Sequence, residues 1–415
     1  MERQAGTGEA EAVIRAVLSK VGASTLRAVI QANVDRADAG RETSAGMVRQ
    51  GRRPVWVRSL WGDFRIFRAY YTHRNGGCGS APSDGLLGLY GPSYTPALAK
   101  ILSKLAAQMP FESAAELLRD TSGTTVNGRQ FHRLAGEVAD SVRAWTARLK
   151  PGAERTGTLY VSFDGTGVPM RKEHLAGRKG RAPDGQAKTR ELRLGCVFTQ
   201  AGVDADGRPT RDPASTSYLS SLSCSKRFGR EVRAEAVRRG MRSARQVVVV
   251  TDGALWCETA AAMNFPGRLH ILDFFHAAGH VHDLAVAIFG DNHQAKGQSD
   301  AWRGNLLRGQ AAAIIQAAKS SQAELRDAKT AEREIAYLTH NLKRMRYDQY
   351  RKAGLFIGSG VIEAGCKTVV GQRAKMSGMH WGERGVLDVL AIRCALLSGR
   401  MDAFWTDELT RLRAA

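Results

Sequence analysis

The clearest strand signal in the chain is Val247-Val248-Val249-Val250-Thr251-Asp252. β-Branched side chains favour extended backbone because they pack well on a pleated surface. An unbroken apolar run without alternation is typical of a strand that is buried on both faces, as in parallel strands covered by helices. The run therefore predicts a central strand of an α/β domain.

Further strand and helix signals surround this run. The strand-like segments are residues 159–164, 192–198, 217–219, 269–273 and, briefly, 355–357. The first two segments can pair with each other. Helical patterns cover residues 226–240, 254–263, 361–372 and 385–397. Strands that first follow one another and then alternate with helices predict an α/β fold with a mixed sheet.

The rest of the chain is mainly helical. Residues 9–34 predict one or two helices, and residues 55–71 predict a β-hairpin whose turn contains Gly62 and Asp63. Helices predicted over 113–119 and 127–145 flank a short polar turn, a pattern shared by DNA-reading helix-turn-helix units and by ordinary helical bundles. A Pro/Gly-rich linker near residue 150 predicts a domain boundary.

These patterns predict five parts. They are 1–94 (N-terminal helices and hairpin), 95–150 (helix-turn-helix-like), 151–275 with 351–400 (catalytic α/β domain), 276–350 (helical insertion) and 401–415 (C-terminal tail).

Charge is the first indication of a partner. The 415 residues include 61 Lys and Arg against 40 Asp and Glu, a formal charge of +21. A surface this basic favours a polyanion such as nucleic acid as partner, although a protein that is basic without binding nucleic acid is the alternative.

Six cysteines without a Cys-x-x-Cys pair predict neither a disulfide framework nor a zinc ribbon. With no apolar signal segment or membrane-length run, we expect a cytoplasmic protein without a membrane partner.

Three carboxylates carry the candidate chemistry. Asp164 and Asp252 each end an apolar strand and are each followed by glycine, and Glu363 lies one turn into a predicted helix that the Ser359 hydroxyl can cap. Converging carboxylates repel one another unless a cation lies between them, and their hard oxygen atoms suit Mg²⁺ or Mn²⁺. Two such ions can catalyse phosphoryl transfer on DNA.

Each of these residues also has an ordinary structural interpretation. An Asp-Gly pair is a common turn, and a first-turn glutamate is favoured by the helix dipole. The hypothesis therefore depends on the three acting together. The competing carboxylates are Asp273, Asp283, Glu258 and Glu383.

Four segments together resemble the Kra-type bacterial insertion-sequence transposases. They are residues 162–170, 271–280, 358–367 and 371–381. The resemblance, which spans about residues 158–400, implies an RNase H-like catalytic domain with a helical insertion, related to Mutator-type transposases of the DDE superfamily. It implies that Asp164, Asp252 and Glu363 form the acidic triad, with Asp273 and His276 as accessory residues. The cysteine pairs that the family carries after its hairpin are reduced here to Cys78.

The predicted function is metal-dependent DNA cleavage and strand transfer at insertion-sequence ends. The partners would be double-stranded DNA, as terminal inverted repeats and target, and a second copy of the chain, in the nucleoid of a bacterial cytoplasm. Alternatives are a structure-selective nuclease and a non-catalytic DNA-binding protein.

Other residues are candidates for binding roles. His276 and His280 have the spacing of zinc ligands on one helix face, with a structural role as the alternative. The predicted DNA-binding residues are Arg129, Arg133, Arg344, Arg346, Arg373, Lys375 and Trp381, where Trp381 stacks on an unpaired base or belongs to the core.

Overall fold

The chain folds into two compact units in a computed structural model. Its described residues are 6–39, 46–75, 79–91, 93–151, 157–180, 185–321 and 326–414, so Cys78 lies outside them. One unit contains Met1–Thr146 and Arg400–Ala415, and the other contains Ala147–Gly399. Among the described helices, none combines the length and apolar character that crossing a bilayer would require. The finer division into five parts stays a prediction.

The first unit combines helices with a β-hairpin. Its elements are α1 (Thr7–Ala39), β1 (Met47–Ser59), β2 (Gly62–His73), α2 (Asp84–Leu87), α3 (Pro96–Gln108), α4 (Phe111–Ser122), α5 (Gly128–Arg148) and α16 (Met401–Ala414). The hairpin is confirmed, but its turn is Leu60-Trp61, and Gly62 with φ of +114° begins β2. The segment expected as a C-terminal tail forms helix α16, which buries Phe404 and Trp405.

The second unit is built on a mixed sheet. Its strands are β3 (Thr158–Pro169), β4 (Thr189–Val203), β5 (Pro209–Arg211), β6 (Ser217–Ser221), β7 (Gln246–Thr251) and β8 (Leu269–Leu272). The path runs β5-β4-β3-β7-β8, and β6 also pairs with β4. β4 is antiparallel to β3, whereas β3, β7 and β8 are parallel. These strands and their directions confirm the predicted α/β fold with a mixed sheet.

Helices complete the second unit. They are α6 (Ser225–Arg238), α7 (Leu255–Asn264), α8 (Phe274–Phe289), α9 (His293–Leu307), α10 (Ala311–Ser320), α11 (Ala328–Asn341), α12 (Tyr347–Lys352), α13 (Gly360–Gly365), α14 (Gln372–Ala374) and α15 (Glu383–Leu397). α6 and α7 bury apolar side chains against β3 and β7, with Phe163, Phe228 and Val249 in that core. Helices α8 to α12 form the predicted helical insertion after β8.

Two predictions after the insertion need correction. Residues 355–357 form no strand, because their backbone bonds go elsewhere: the Ile357 oxygen accepts from Phe274 N–H at 2.9 Å, and Phe356 N–H donates to the Tyr160 hydroxyl at 3.2 Å. The helix predicted over 361–372 is present but changes between α13 and α14 into a π-helical segment, Cys366–Gly371. Such π-helical turns occur often at functional sites.

Candidate active site

Asp164 and Asp252 lie where the parallel pairing of β3 and β7 ends. The last pair in that register is Ser162 with Val250. Because each aspartate follows this pair by two residues, the two lie level with each other, and the two-residue period of a strand gives both the same face. The carboxyl ends of parallel strands are where α/β proteins bind their ligands. The prediction that Asp164 ends its strand is wrong, because β3 continues to Pro169 and Asp164 pairs with Leu194 of β4, whereas Asp252 directly follows the last residue of β7.

The Asp164 carboxylate is only partly exposed, and the charge of Asp252 affects its pKa. Burial raises the pKa of Asp164, the Gly165 N–H that it accepts at 2.6 Å lowers it, and the negative charge of Asp252 raises it again, so that the net pKa is raised. The Cys366 thiol, from the π-helical segment, donates to its other oxygen at 3.6 Å. A bound cation would reverse this penalty because it favours the ionised carboxylate.

Asp252 is held from both its side chain and its backbone. Its Oδ1 accepts from Ala254 N–H at 3.0 Å, and its backbone oxygen accepts from the Tyr337 hydroxyl of α11 at 2.7 Å. Gly253 has φ of +85°, and a Cβ added there would lie 2.5 Å from the Tyr337 hydroxyl oxygen. The glycine therefore makes room for Tyr337.

Glu363 lies in α13 and is oriented by Ser359. The Ser359 hydroxyl donates to Glu363 Oε1 at 2.8 Å and makes no cap hydrogen bond, so the predicted capping role of Ser359 is wrong. Among the described residues, Asp273, His276 and Glu363 form the group whose possible metal-ligand atoms all lie within 4.8 Å of one another. Glu363 is thus adjacent to the predicted accessory pair.

Asp273 and His276 form a tightly bonded pair at the start of α8. The fully buried Asp273 carboxylate accepts from His276 N–H at 2.7 Å, from its Nδ1 at 3.2 Å and from Ser359 N–H. Burial would raise the pKa of Asp273, but these hydrogen bonds outweigh it and the pKa is lowered. The bond to Asp273 raises the pKa of His276 against the opposing effect of burial, and the charges of Asp252 and Glu363 raise it further.

These couplings connect five side chains, which we call the acidic cluster. Its members are Asp164, Asp252, Asp273, His276 and Glu363. Oxygen donors dominate it, and such donors suit Mg²⁺ or Mn²⁺. The Asp273 oxygens already accept three hydrogen bonds, but the ligand atoms that lie within 4.8 Å of one another are those of Asp273, His276 and Glu363. The metal-binding triad of Asp164, Asp252 and Glu363 stays a prediction.

The neighbouring histidine and carboxylates have other partners. His280 bonds through Nδ1 to the buried Glu334 and stacks on Tyr337 with ring centroids 3.6 Å apart, which fits the structural interpretation of His280. Glu258 accepts from His340 at 2.6 Å and from Arg344 at 3.1 Å. Glu383 forms an ion pair with Arg190, and Asp283 is exposed on α8.

The predicted DNA-binding residues divide by exposure. Four are exposed: Arg129, Arg133, Arg346 and Lys375. Trp381, Arg373 and Arg344 are buried, so their predicted direct contacts with DNA are wrong for this conformation. The Trp381 indole N–H donates to the Ala374 oxygen at 2.9 Å and the Arg373 guanidinium lies over its ring, so Trp381 is a core residue and presents no face to a base.

Two contacts in the site were missed from the sequence. Tyr337 follows Asp252 by 85 residues and lies inside an ordinary helical pattern, so no local signal identifies it. Cys366 is different: its position three residues after Glu363 puts both on nearby parts of one helical face, and this spacing could have been used.

Comparisons with known proteins add little to this geometry. No family model matches the chain, and no curated protein matches it. Among solved structures, the chain is similar to the Drosophila P element transposase strand transfer complex at 9% identity, with 76% of this chain and 81% of that chain covered and a TM-score of 0.29. A similarity at that level carries no weight for function.

Proposed function

We propose that this protein is a DDE-type DNA transposase that cleaves DNA at insertion-sequence ends and joins the ends to target DNA. The observation that carries the proposal is that Asp164 and Asp252 lie level with each other where the parallel pairing of β3 and β7 ends, with charges that interact. Glu363 is the proposed third member, because its charge and that of Asp252 both raise the pKa of His276. The Kra-type resemblance supports the same assignment.

The proposed metal is Mg²⁺ or Mn²⁺, held by Asp164, Asp252 and Glu363. The negative charge of Asp252 raises the pKa of Asp164, and carboxylates arranged in this way form a site in which a hard cation is favoured. When bound, a pair of such ions would activate an attacking hydroxyl and stabilise the leaving 3′ oxygen. The Asp252 backbone is fixed by Tyr337, and Glu363 by Ser359, so the ligands would be oriented before any ion binds.

His276 would supply a positive charge beside these carboxylates. Its raised pKa favours the imidazolium, which can donate to a phosphate oxygen while Asp273 accepts from Nδ1 and fixes the ring. We therefore assign His276 to binding the DNA phosphate and Asp273 to positioning His276. Outside the cluster, the exposed Arg129, Arg133, Arg346 and Lys375 are the proposed phosphate contacts, in keeping with the formal charge of +21.

The experiment is cleavage of end-labelled DNA that carries the sequences flanking the gene, with Mg²⁺. The wild type should nick at an element boundary, and Asp164→Asn should lose about 10²-fold or more in rate while it still binds DNA. Asp206→Asn is the matched control, because Asp206 is a carboxylate with a 67% exposed side chain in a turn. Full activity of Asp164→Asn would remove the triad.

The same assay separates the alternatives. Cleavage of branched DNA without preference for the flanking sequences would indicate a structure-selective nuclease. DNA binding that needs no metal and leads to no cleavage would indicate a DNA-binding protein without catalysis. The proposed location, in the bacterial nucleoid, follows from the DNA partner.

A further inference from the structure

The N-terminal half of α1 carries an apolar stripe that is exposed. Val13, Ile14, Val17, Leu18 and Val21 are 52–62% exposed. From Glu11 to Leu18 every residue is exposed, although each of these apolar side chains would gain from leaving water. A contiguous patch of large apolar side chains on a soluble surface is typical of an interaction site.

A second apolar face of the same helix is already covered. Ala23, Leu26, Ile30 and Val34 pack with the hairpin core around Val57, Phe64 and Ile66. At 3.6 residues per turn, the exposed stripe lies roughly 180° around the helix from this covered face. The stripe is therefore not the outer edge of the hairpin contact, and it requires its own partner.

We propose that the stripe binds the same stripe of a second copy of this chain, with the two helices antiparallel. A two-fold axis near residues 15 and 16 sets Val13 opposite Leu18 of the second copy and Ile14 opposite Val17 of the second copy. Ala10 then faces Val21 of the second copy. Every large apolar residue of the stripe obtains an apolar partner in this register.

Charge on the stripe's borders favours this occupant and this direction. Glu9 and Glu11 precede the centre of the stripe, whereas Arg15 and Lys20 lie at or beyond it. Antiparallel pairing places the acidic segment of each copy beside the basic segment of the other, with Glu9 and Lys20 on the same side of the helix pair. Parallel pairing would instead place like charges at the same level, which is unfavourable.

Other occupants fit less well. An apolar stripe offers nothing to a DNA phosphate, and helices that lie on membranes carry a polar face rich in Lys and Arg, whereas acids and bases are equally frequent here. An isolated helix segment of this length is also only marginally stable in water, so pairing would support the fold of α1 itself.

The test is sedimentation equilibrium of the full chain without DNA or metal. The wild type should be a dimer at micromolar concentration, and Val17→Asp should raise the dissociation constant at least about tenfold. Val29→Asp is the matched control: Val29 is 55% exposed on the same helix but lies beyond the paired segment. Circular dichroism should show both variants folded, because both side chains are exposed.

A charge exchange tests the direction. Glu9→Lys and Lys20→Glu should each weaken the dimer, and the double variant should restore it, because the ion pair is re-formed with its signs exchanged. A monomeric wild type, or a dimer as tight in Val17→Asp as in Val29→Asp, overturns the proposal. Since the assay contains neither DNA nor Mg²⁺, its failure would leave the cleavage proposal untouched, and the reverse also holds.

Discussion

Replacement of Tyr337 by phenylalanine tests whether the helical insertion holds Asp252, a member of the proposed triad, in place. The Tyr337 hydroxyl donates to the backbone oxygen of Asp252 at 2.7 Å, and its ring stacks on His280. Burial raises the pKa of Tyr337, so the hydroxyl stays protonated and remains a donor. Tyr337→Phe removes that single donor and keeps the ring contact.

The expected cost follows from this one hydrogen bond. Loss of a neutral hydrogen bond lowers the free energy of unfolding by about 1 kcal/mol, and by up to about 3 kcal/mol where the acceptor is left unsatisfied. Tyr350→Phe is the matched control because the Tyr350 hydroxyl reaches the Lys343 oxygen only at 3.5 Å. That variant should lose a few tenths of a kcal/mol at most, since a contact this long is weak.

Two assays read the effect. Urea unfolding gives the change in stability, and Mn²⁺ titration gives the affinity of the acidic cluster, which should fall several-fold in Tyr337→Phe because Asp252 loses its orientation. Equal stability and equal Mn²⁺ affinity in Tyr337→Phe and Tyr350→Phe would refute the reasoning.

Three further predictions concern the same site. Gly253→Ala should lower the free energy of unfolding by about 1–3 kcal/mol, because alanine resists the positive φ and its Cβ meets the Tyr337 hydroxyl; urea unfolding measures it, and an unchanged midpoint would contradict it. His276 has a raised pKa beside Asp273, so its protonation favours folding below pH 6.5 and that gain is lost as the pH rises through the folded-state pKa. The stability difference between wild type and His276→Gln should therefore shrink as the pH rises from 6 to 9, and a constant difference would count against the ion pair. Trp381→Phe should lower the free energy of unfolding by about 1–3 kcal/mol and leave DNA affinity unchanged. Weaker DNA binding at unchanged stability would instead support the hypothesis that Trp381 stacks on a base.

The sheet could be predicted because its signals are local. The valines at 247–250 form β7, and the apolar segment before Asp164 forms part of β3. Each aspartate follows an apolar segment, so the two lie level once β3 and β7 have paired, but the continuation of β3 past Asp164 to Pro169 was not predicted. The hairpin could be predicted for the same reason, although its turn, Leu60-Trp61, lies two residues earlier than the predicted Gly62-Asp63 pair.

Side-chain roles near Glu363 could not be predicted in this way. Arg344, Arg373 and Trp381 read as a basic and aromatic surface, yet all three are buried. Sequence shows the charge of an arginine but not whether tertiary neighbours cover its long aliphatic stem. The contact between Tyr337 and Asp252 is likewise visible only after the insertion has folded against the sheet.

The central claim is that carboxylates far apart in the chain hold one divalent cation site. Mn²⁺ binding followed by electron paramagnetic resonance tests it most directly in wild type, Asp164→Asn, Asp252→Asn, Glu363→Gln and the control Asp206→Asn. The account predicts that each of the first three substitutions weakens binding at least about tenfold, and that the control binds like wild type. Equal Mn²⁺ affinity in all five proteins would contradict it.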